Sequence, residues 1–262
     1  MRIVLEGNIC PNKKKHQRFQ VHIACKMRTR ALERTFSKGI ILQYPGTGNM
    51  KGKKYILWDH DGVLVDTEKW YYEATCRALS ELGLRVDKKE YLDFMQEGKS
   101  MWTMAYRKGF LESVIRTQRE KRNVYYQEFL AGENIEIPGV EDTLEKLGMD
   151  FSMAIVTTSK RRDFELIHKN RTIVGFMDFV LTVEDYHAAK PDPEPYLTAL
   201  QKYGAEPAEA VVIEDSGRGL RSAVAAGIEC IIVENEFTKS HDFSKAALVL
   251  KSISELPKLF LS

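Results

Sequence analysis

The chain has 262 residues, 44% hydrophobic and 29% charged, with a formal net charge of +2. That is enough apolar material for one substantial core, or a core carrying an insert, and it excludes a low-complexity or repetitive protein. No apolar run approaches the ~18 residues needed to cross a bilayer, and the N-terminus lacks the apolar stretch of a secretory signal, so a cytoplasmic protein without membrane contact is expected.

The charge is unevenly spread. Residues 1–50 hold ten Lys/Arg against Glu6 and Glu33, a net of +8, which leaves −6 for the remainder. A basic, acid-poor arm suits nucleic acid, an acidic surface or organelle targeting. It lacks aromatic interleaving and any recognisable binding module, so nucleic acid ranks last among the partners considered. The expectation is a disordered extension, or a segment outside the working protein with translation starting at Met50. The cysteines Cys10, Cys25, Cys76 and Cys230 show no CxxC pairing and fit a reducing compartment, and Cys10, His16, His22 and Cys25 match no zinc spacing.

The first regular element is the apolar run Tyr55-Ile56-Leu57-Trp58, a strand that ends abruptly in Asp59, His60, Asp61 and Gly62. Two carboxylates at the C-terminal end of a strand suggest a site for a hard cation and an anionic substrate; equally, they fit a turn in which Gly62 supplies positive φ. Asp66 or Thr67 then caps a helix to about Gly83, with Trp70, Ala74, Ala78 and Leu82 at four-residue steps. Helices are expected at 91–97, 101–108 and 111–130, so 67–135 reads as an all-helical block closed by Pro138-Gly139. Beyond it, strands at 153–157, 176–182, 210–213 and 228–233 alternate with helices at 161–170, 193–203, 219–226 and 254–260. Such alternation predicts a parallel sheet covered on both faces, interrupted after its first strand by a helical cap over the C-terminal edge.

Three later strand ends carry chemistry. Thr157, followed by Thr158 and Ser159, offers hydroxyl and backbone N–H donors to a phosphate oxygen, although Ser/Thr after a strand also serves as a helix cap. Lys190 precedes the turn Pro191-Asp192-Pro193, where a solvated surface lysine is the ordinary alternative. Glu214 and Asp215 end a continuous apolar strand, and adjacent buried carboxylates repel unless a cation lies between them.

In this order and at these strand ends, DHDGVLVDT (Asp59–Thr67), Thr157, Lys190 in AKPDPEPY and EDSGRG from Glu214 resemble the haloacid dehalogenase superfamily, in its phosphatase and phosphoglucomutase-like branch with a small helical cap. The resemblance covers 54 to about 260. It implies an α/β fold, a Rossmann-like parallel sheet with helices on both faces, made of 51–66 and 136–262, plus an inserted all-helical cap at 67–135. By resemblance Asp59 is the nucleophile and Asp61 the general acid/base, while Thr157, Thr158 and Lys190 hold the phosphoryl group. Mg2+ is held by Asp59, the backbone carbonyl of Asp61, Asp215 and Glu214. The cap residues Lys99, Ser100 and Arg107 are candidates for substrate choice.

The expected activity is Mg2+-dependent hydrolysis of a small phosphorylated metabolite through an aspartyl-phosphate, by a monomer. An aspartate with a reference pKa near 3.9 attacks phosphorus without a base to activate it, whereas the leaving alcohol needs a proton that Asp61 can supply. Dehalogenases of the superfamily lack the second aspartate. Its phosphosugar mutases, the alternative, usually carry a histidine where this chain has Tyr71 and an arginine where it has Met101. His60, by the two-residue alternation of a strand, is expected to turn away from Asp59 and Asp61 into the packing of the sheet.

Overall fold

The computed structural model describes residues 50 and 52–261, so the expectations attached to the basic arm lie outside the described residues. Six strands form one parallel sheet in the order β3-β2-β1-β4-β5-β6: β1 (Tyr55–Trp58), β2 (Ser152–Val156), β3 (Phe179–Leu181), β4 (Ala210–Glu214), β5 (Glu229–Val233) and β6 (Leu248–Leu250). β1 lies between β2 and β4, with Trp58 level with Ile155 on one side and Ile213 on the other.

Strand alternation sorts the side chains. Ile56, Trp58, Met153, Ile155, Val211, Ile213, Ile231 and Val233 form one buried layer under α5 (Val140–Leu147), α6 (Arg161–His168) and α9 (Leu256–Phe260). Leu57, Ala154, Val156, Val212 and Ile232 form the other, under α7 (Glu194–Tyr203) and α8 (Gly217–Ala225). Both faces are thus buried, which is why the strands read as continuous apolar runs; each large side chain fully buried in them contributes about 1.5–3 kcal/mol of transfer free energy.

Between β1 and α5 the chain inserts α1 (Glu68–Ser80), α2 (Lys88–Gln96), α3 (Thr103–Arg107) and α4 (Glu112–Gly132). Ala78, Leu79, Leu84, Tyr91, Met101, Trp102, Ala105 and Ile115 of this insert form a second apolar cluster, joined by Phe237 from beyond β5, while Ala74, Tyr126 and Leu130 join the sheet's layer.

Some expectations need correction. α5 and β6 were not predicted: α5 has only eight residues and follows a Pro-Gly break, and β6 has three. The run expected as a strand from Phe176 begins with the end of a 3₁₀ turn, and only Phe179–Leu181 pairs with β2. Thr67 occupies the N-cap of α1 but makes no capping bond, because its hydroxyl donates to Asp61 Oδ1 at 2.6 Å.

Candidate active site

β1 is the strand from which the sheet grows in both directions, and the C-terminal edge at such a reversal of strand order is where open parallel sheets bind their ligands. Asp59 continues the ladder, its N–H donating to Ile213 O at 2.8 Å. The chain then wraps round the His60 carbonyl, which accepts from the N–H groups of Val63, Leu64 and Val65 at 3.4, 2.9 and 3.2 Å. Gly62 has φ +85°, and a Cβ there would overlap the Asp215 carboxylate and the Asn235 amide. Positive φ and close approach therefore both call for glycine.

On the α7 side lies a buried charge cluster. Lys190, only 4% exposed, donates to Asp59 Oδ1 at 2.5 Å, Glu214 Oε1 at 2.8 Å and Val156 O at 2.8 Å, so all three ammonium hydrogens have acceptors. The Tyr196 ring lies 4.7 Å from the ammonium, and its hydroxyl donates to Glu214 Oε1 at 3.0 Å. Glu214 Oε2 accepts from the N–H of Asp215 and of Ser216, both at 3.1 Å, and from Ser216 Oγ at 3.0 Å. Five donors fill a carboxylate offering about four lone-pair sites, so Glu214 has little capacity left for a cation. Asp215 is freer, accepting from Asn235 Nδ2 at 2.6 Å, and Asn235 is itself pinned by the N–H groups of Phe237 and Thr238 at 2.9 and 3.1 Å.

Ligand atoms of Asp59, Glu214 and Asp215 lie within 4.8 Å of one another. Burial, then the charge of Glu214, pushes the Asp59 carboxyl up to about 7 against the pull of Lys190. Burial and the neighbouring carboxylates push Asp215 well above the usual range. Glu214 is also raised by burial, but the charge and hydrogen bond of Lys190 outweigh this and hold it below its ordinary value. With all three ionised, these buried carboxylates against one ammonium carry two negative charges in excess, and an all-oxygen donor set of that charge suits a hard divalent cation.

Asp61 belongs to a different environment. Its Oδ2 accepts from Ser159 Oγ at 2.6 Å and Thr157 Oγ1 at 3.2 Å, and its Oδ1 from Thr67 Oγ1. His60 Nδ1 is 3.1 Å from the same Oδ2, and His60 Nε2 is 2.8 Å from His168 Nε2. Burial opposes ionisation of Asp61, yet the hydrogen bonds from His60, Ser159 and Thr67 hold its carboxyl well below the usual range. The expectation for His60 is half met: its ring packs against Phe164 on α6, 4.9 Å between centroids, but reaches back to Asp61.

The structure thus gathers Asp59, Asp61, Thr157, Lys190, Glu214 and Asp215, while Thr158 Oγ1 accepts from Arg218 at 3.2 Å. Lys99, Ser100 and Arg107 are exposed and have no bond to that group: Lys99 pairs with Glu97 at 2.5 Å, and Ser100 Oγ accepts from the Trp102 N–H. Met101 and Trp102 lie in the insert's apolar cluster. Residues not foreseen are Thr67, His168, Tyr196, Asn235 and Glu68. Partly buried in the first turn of α1, Glu68 is raised to about 8 by burial and the charge of Asp61, with Arg218 opposing. A polar residue just past β5 was the available signal for Asn235; nothing local marks His168.

Residues 56–233 match the family described as haloacid dehalogenase-like hydrolase. Protein CbbY of Rhodobacter capsulatus is 26% identical over 224 residues, covering 78% of this chain and 99% of that one. The phosphorylated carbohydrates phosphatase of Thermotoga maritima is 29% identical over 188 residues, covering 67% and 82%. Among solved structures, CbbY from Rhodobacter sphaeroides in complex with phosphate aligns with a TM-score of 0.66 at 24% identity, covering 78% of this chain and 96% of that one, a likeness of fold.

Proposed function

The chain belongs to the haloacid dehalogenase-like hydrolase family, and from that premise we propose that it is a phosphatase of small phosphomonoesters that works through an aspartyl-phosphate on Asp59. Phosphorylated sugars are the proposed substrate class, because the Thermotoga maritima relative is named for phosphorylated carbohydrates. The observation that carries the reading is the division of labour at the end of β1: Asp59 sits against Lys190, and Asp61 sits among hydroxyl donors.

In the first step an Asp59 oxygen attacks phosphorus as the bond to the ester oxygen breaks, and Asp61, a carboxylate at rest that must enter this step protonated, gives that proton to the departing alkoxide. In the second, Asp61 takes a proton from water as that water attacks phosphorus and the acyl-phosphate bond breaks, releasing phosphate and restoring Asp59. Lys190 and the donors at Thr157 and Thr158 neutralise the phosphoryl oxygens. Mg2+ would be held by Asp59, Asp215 and the backbone carbonyl of Asp61, with Glu214 anchoring Lys190 behind them. When bound, it supplies the positive charge that lets Asp59 and Asp215 stay ionised together. The insert is proposed as the cap that limits access of bulk water to this edge.

The test is a panel of phosphorylated metabolites assayed for released phosphate with Mg2+ and with a chelator. Chelator-sensitive release that Asp59→Asn abolishes is expected. Release that survives that substitution, or phosphate moved to another position on the sugar instead of being freed, would overturn hydrolysis by this route.

A further inference from the structure

We propose that His60 is a positioning residue for Asp61, held in its working orientation by His168 of α6. The inference rests on Asp61 being the proton carrier of the preceding section.

His60 is 0% exposed and, sharing the parity of Trp58, points to the α6 face of the sheet, opposite to Asp59. Phe164 and His168, one turn apart on α6, enclose it: the His60 ring lies 4.9 Å from Phe164 and 5.0 Å from His168, and those two rings are 4.4 Å apart. The hydrogen-bond chain runs Asp61 Oδ2, His60 Nδ1, His60 Nε2, His168 Nε2, with links of 3.1 and 2.8 Å.

The network assigns the tautomers. A carboxylate only accepts, so His60 Nδ1 carries the hydrogen that faces Asp61. In the neutral ring Nε2 is then a lone pair, which accepts from His168 Nε2–H. That arrangement leaves His168 Nδ1 bare, and this atom is buried without a partner. The reverse tautomer of His168 would strand an N–H there and remove the donor that His60 needs. His168 therefore selects the His60 tautomer that donates to Asp61.

Asp61 has reason to need a donor of this kind. Thr157 and Ser159, the other two donors to Oδ2, lie on the loop after β2 to which phosphoryl binding is assigned. A hydroxyl that turns towards a phosphoryl oxygen leaves Asp61. Thr67 on Oδ1 and His60 on Oδ2 remain, one on each oxygen, and together they fix the carboxyl plane. A buried ring clamped by Phe164 cannot swing as a hydroxyl rotor does.

The experiment compares kcat/KM for an alkyl phosphate, whose leaving group needs a proton, with that for nitrophenyl phosphate, which needs little help. His60→Leu should lower the alkyl value by roughly tenfold or more and the aryl value by less than about threefold, since general acid assistance is worth ~10²–10⁴ and misplacement removes part of it. His168→Leu should shift the ratio in the same direction, and His168→Gln, which retains an N–H, should restore it. Equal losses on both substrates, or none, would overturn the positioning role. If His60→Leu does not fold, the His168 pair decides, because that side chain is only partly buried. Asp61→Asn separates the two ideas: without leaving-group discrimination in that variant both fail, whereas discrimination there but not in the histidine variants defeats the positioning role alone.

Discussion

The C-terminal edge of the sheet and the helical insert hold their charges in opposite ways. At the edge, Lys190, Asp59, Glu214 and Asp215 are buried, and each has a partner from a distant part of the chain. On the insert, Lys89–Asp93, Lys99–Glu97 and Arg77–Glu128 are exposed pairs at 2.8, 2.5 and 3.2 Å, within α2, in the turn after it, and between α1 and α4. Exposed pairs contribute about 0–1 kcal/mol each, while removing one partner of a buried pair costs roughly 3–5 kcal/mol. Geometry is therefore enforced at the edge, and the insert's surface is free to vary.

The largest expected effect follows from Lys190→Met. It leaves Asp59 and Glu214 buried without their cation, so stability should fall by roughly 3–5 kcal/mol in denaturant titration. Phosphate release should fall by ~10³-fold even in the folded fraction, since the charge facing the phosphoryl oxygens is gone. A variant of unchanged stability would break the comparison at its stronger end.

Next comes a pair that divides the carboxylates by their free capacity. Asp215→Asn should weaken Mg2+ binding, measured calorimetrically, by ~10–100-fold or more, and Glu214→Gln by much less while still lowering kcat through the loosened Lys190. The reverse order would mean that Glu214 exchanges its five donors for the cation.

Local pattern and long-range partnership also explain what could be read from the sequence. Tyr55–Trp58, the apolar runs behind Thr157 and Glu214, and the helical texture of the insert are local signals, and β1, β2, β4 and α1–α4 lie close to where they were expected. Lys190 was legible only by its place in a motif, since any single lysine is more often solvated. His168 lies 108 residues from His60, and Asn235 is 20 from Asp215; neither spacing follows a helix or strand period, so only the assembled sheet brings them together. The diversion of the Thr67 hydroxyl from its cap to Asp61 was hidden for the same reason, because capping is local and the carboxylate is delivered by the turn at Gly62.

A smaller effect tests the excess negative charge. In the fold without metal, Asp59 is raised to about 7 from 3.8 and Glu68 to about 8 from 4.5, so both keep protons that the unfolded chain has released. The native state then binds more protons than the unfolded one, and each step up in pH through that window favours unfolding. Thermal melts of metal-free protein should show stability present at about pH 5 and declining towards about pH 8, by roughly 5 °C or more, with added Mg2+ flattening the slope. Stability that does not fall over this range would mean that these carboxylates are solvated, removing the contrast with the insert.

The smallest effects belong to the insert. Lys99→Ala, Ser100→Ala and Arg107→Ala remove exposed side chains that make no bond to the strand-end cluster, so each should change stability by less than about 0.5 kcal/mol. With no substrate contact, KM and kcat should each stay within about twofold on the best substrate of the panel, because exposed charges and exposed pairs contribute little. A KM raised tenfold at unchanged kcat and stability would instead place these side chains against bound substrate. It would follow that the insert closes over the strand edge during turnover, and that the exposed region owes its loose pairing to the need to exchange those partners for substrate.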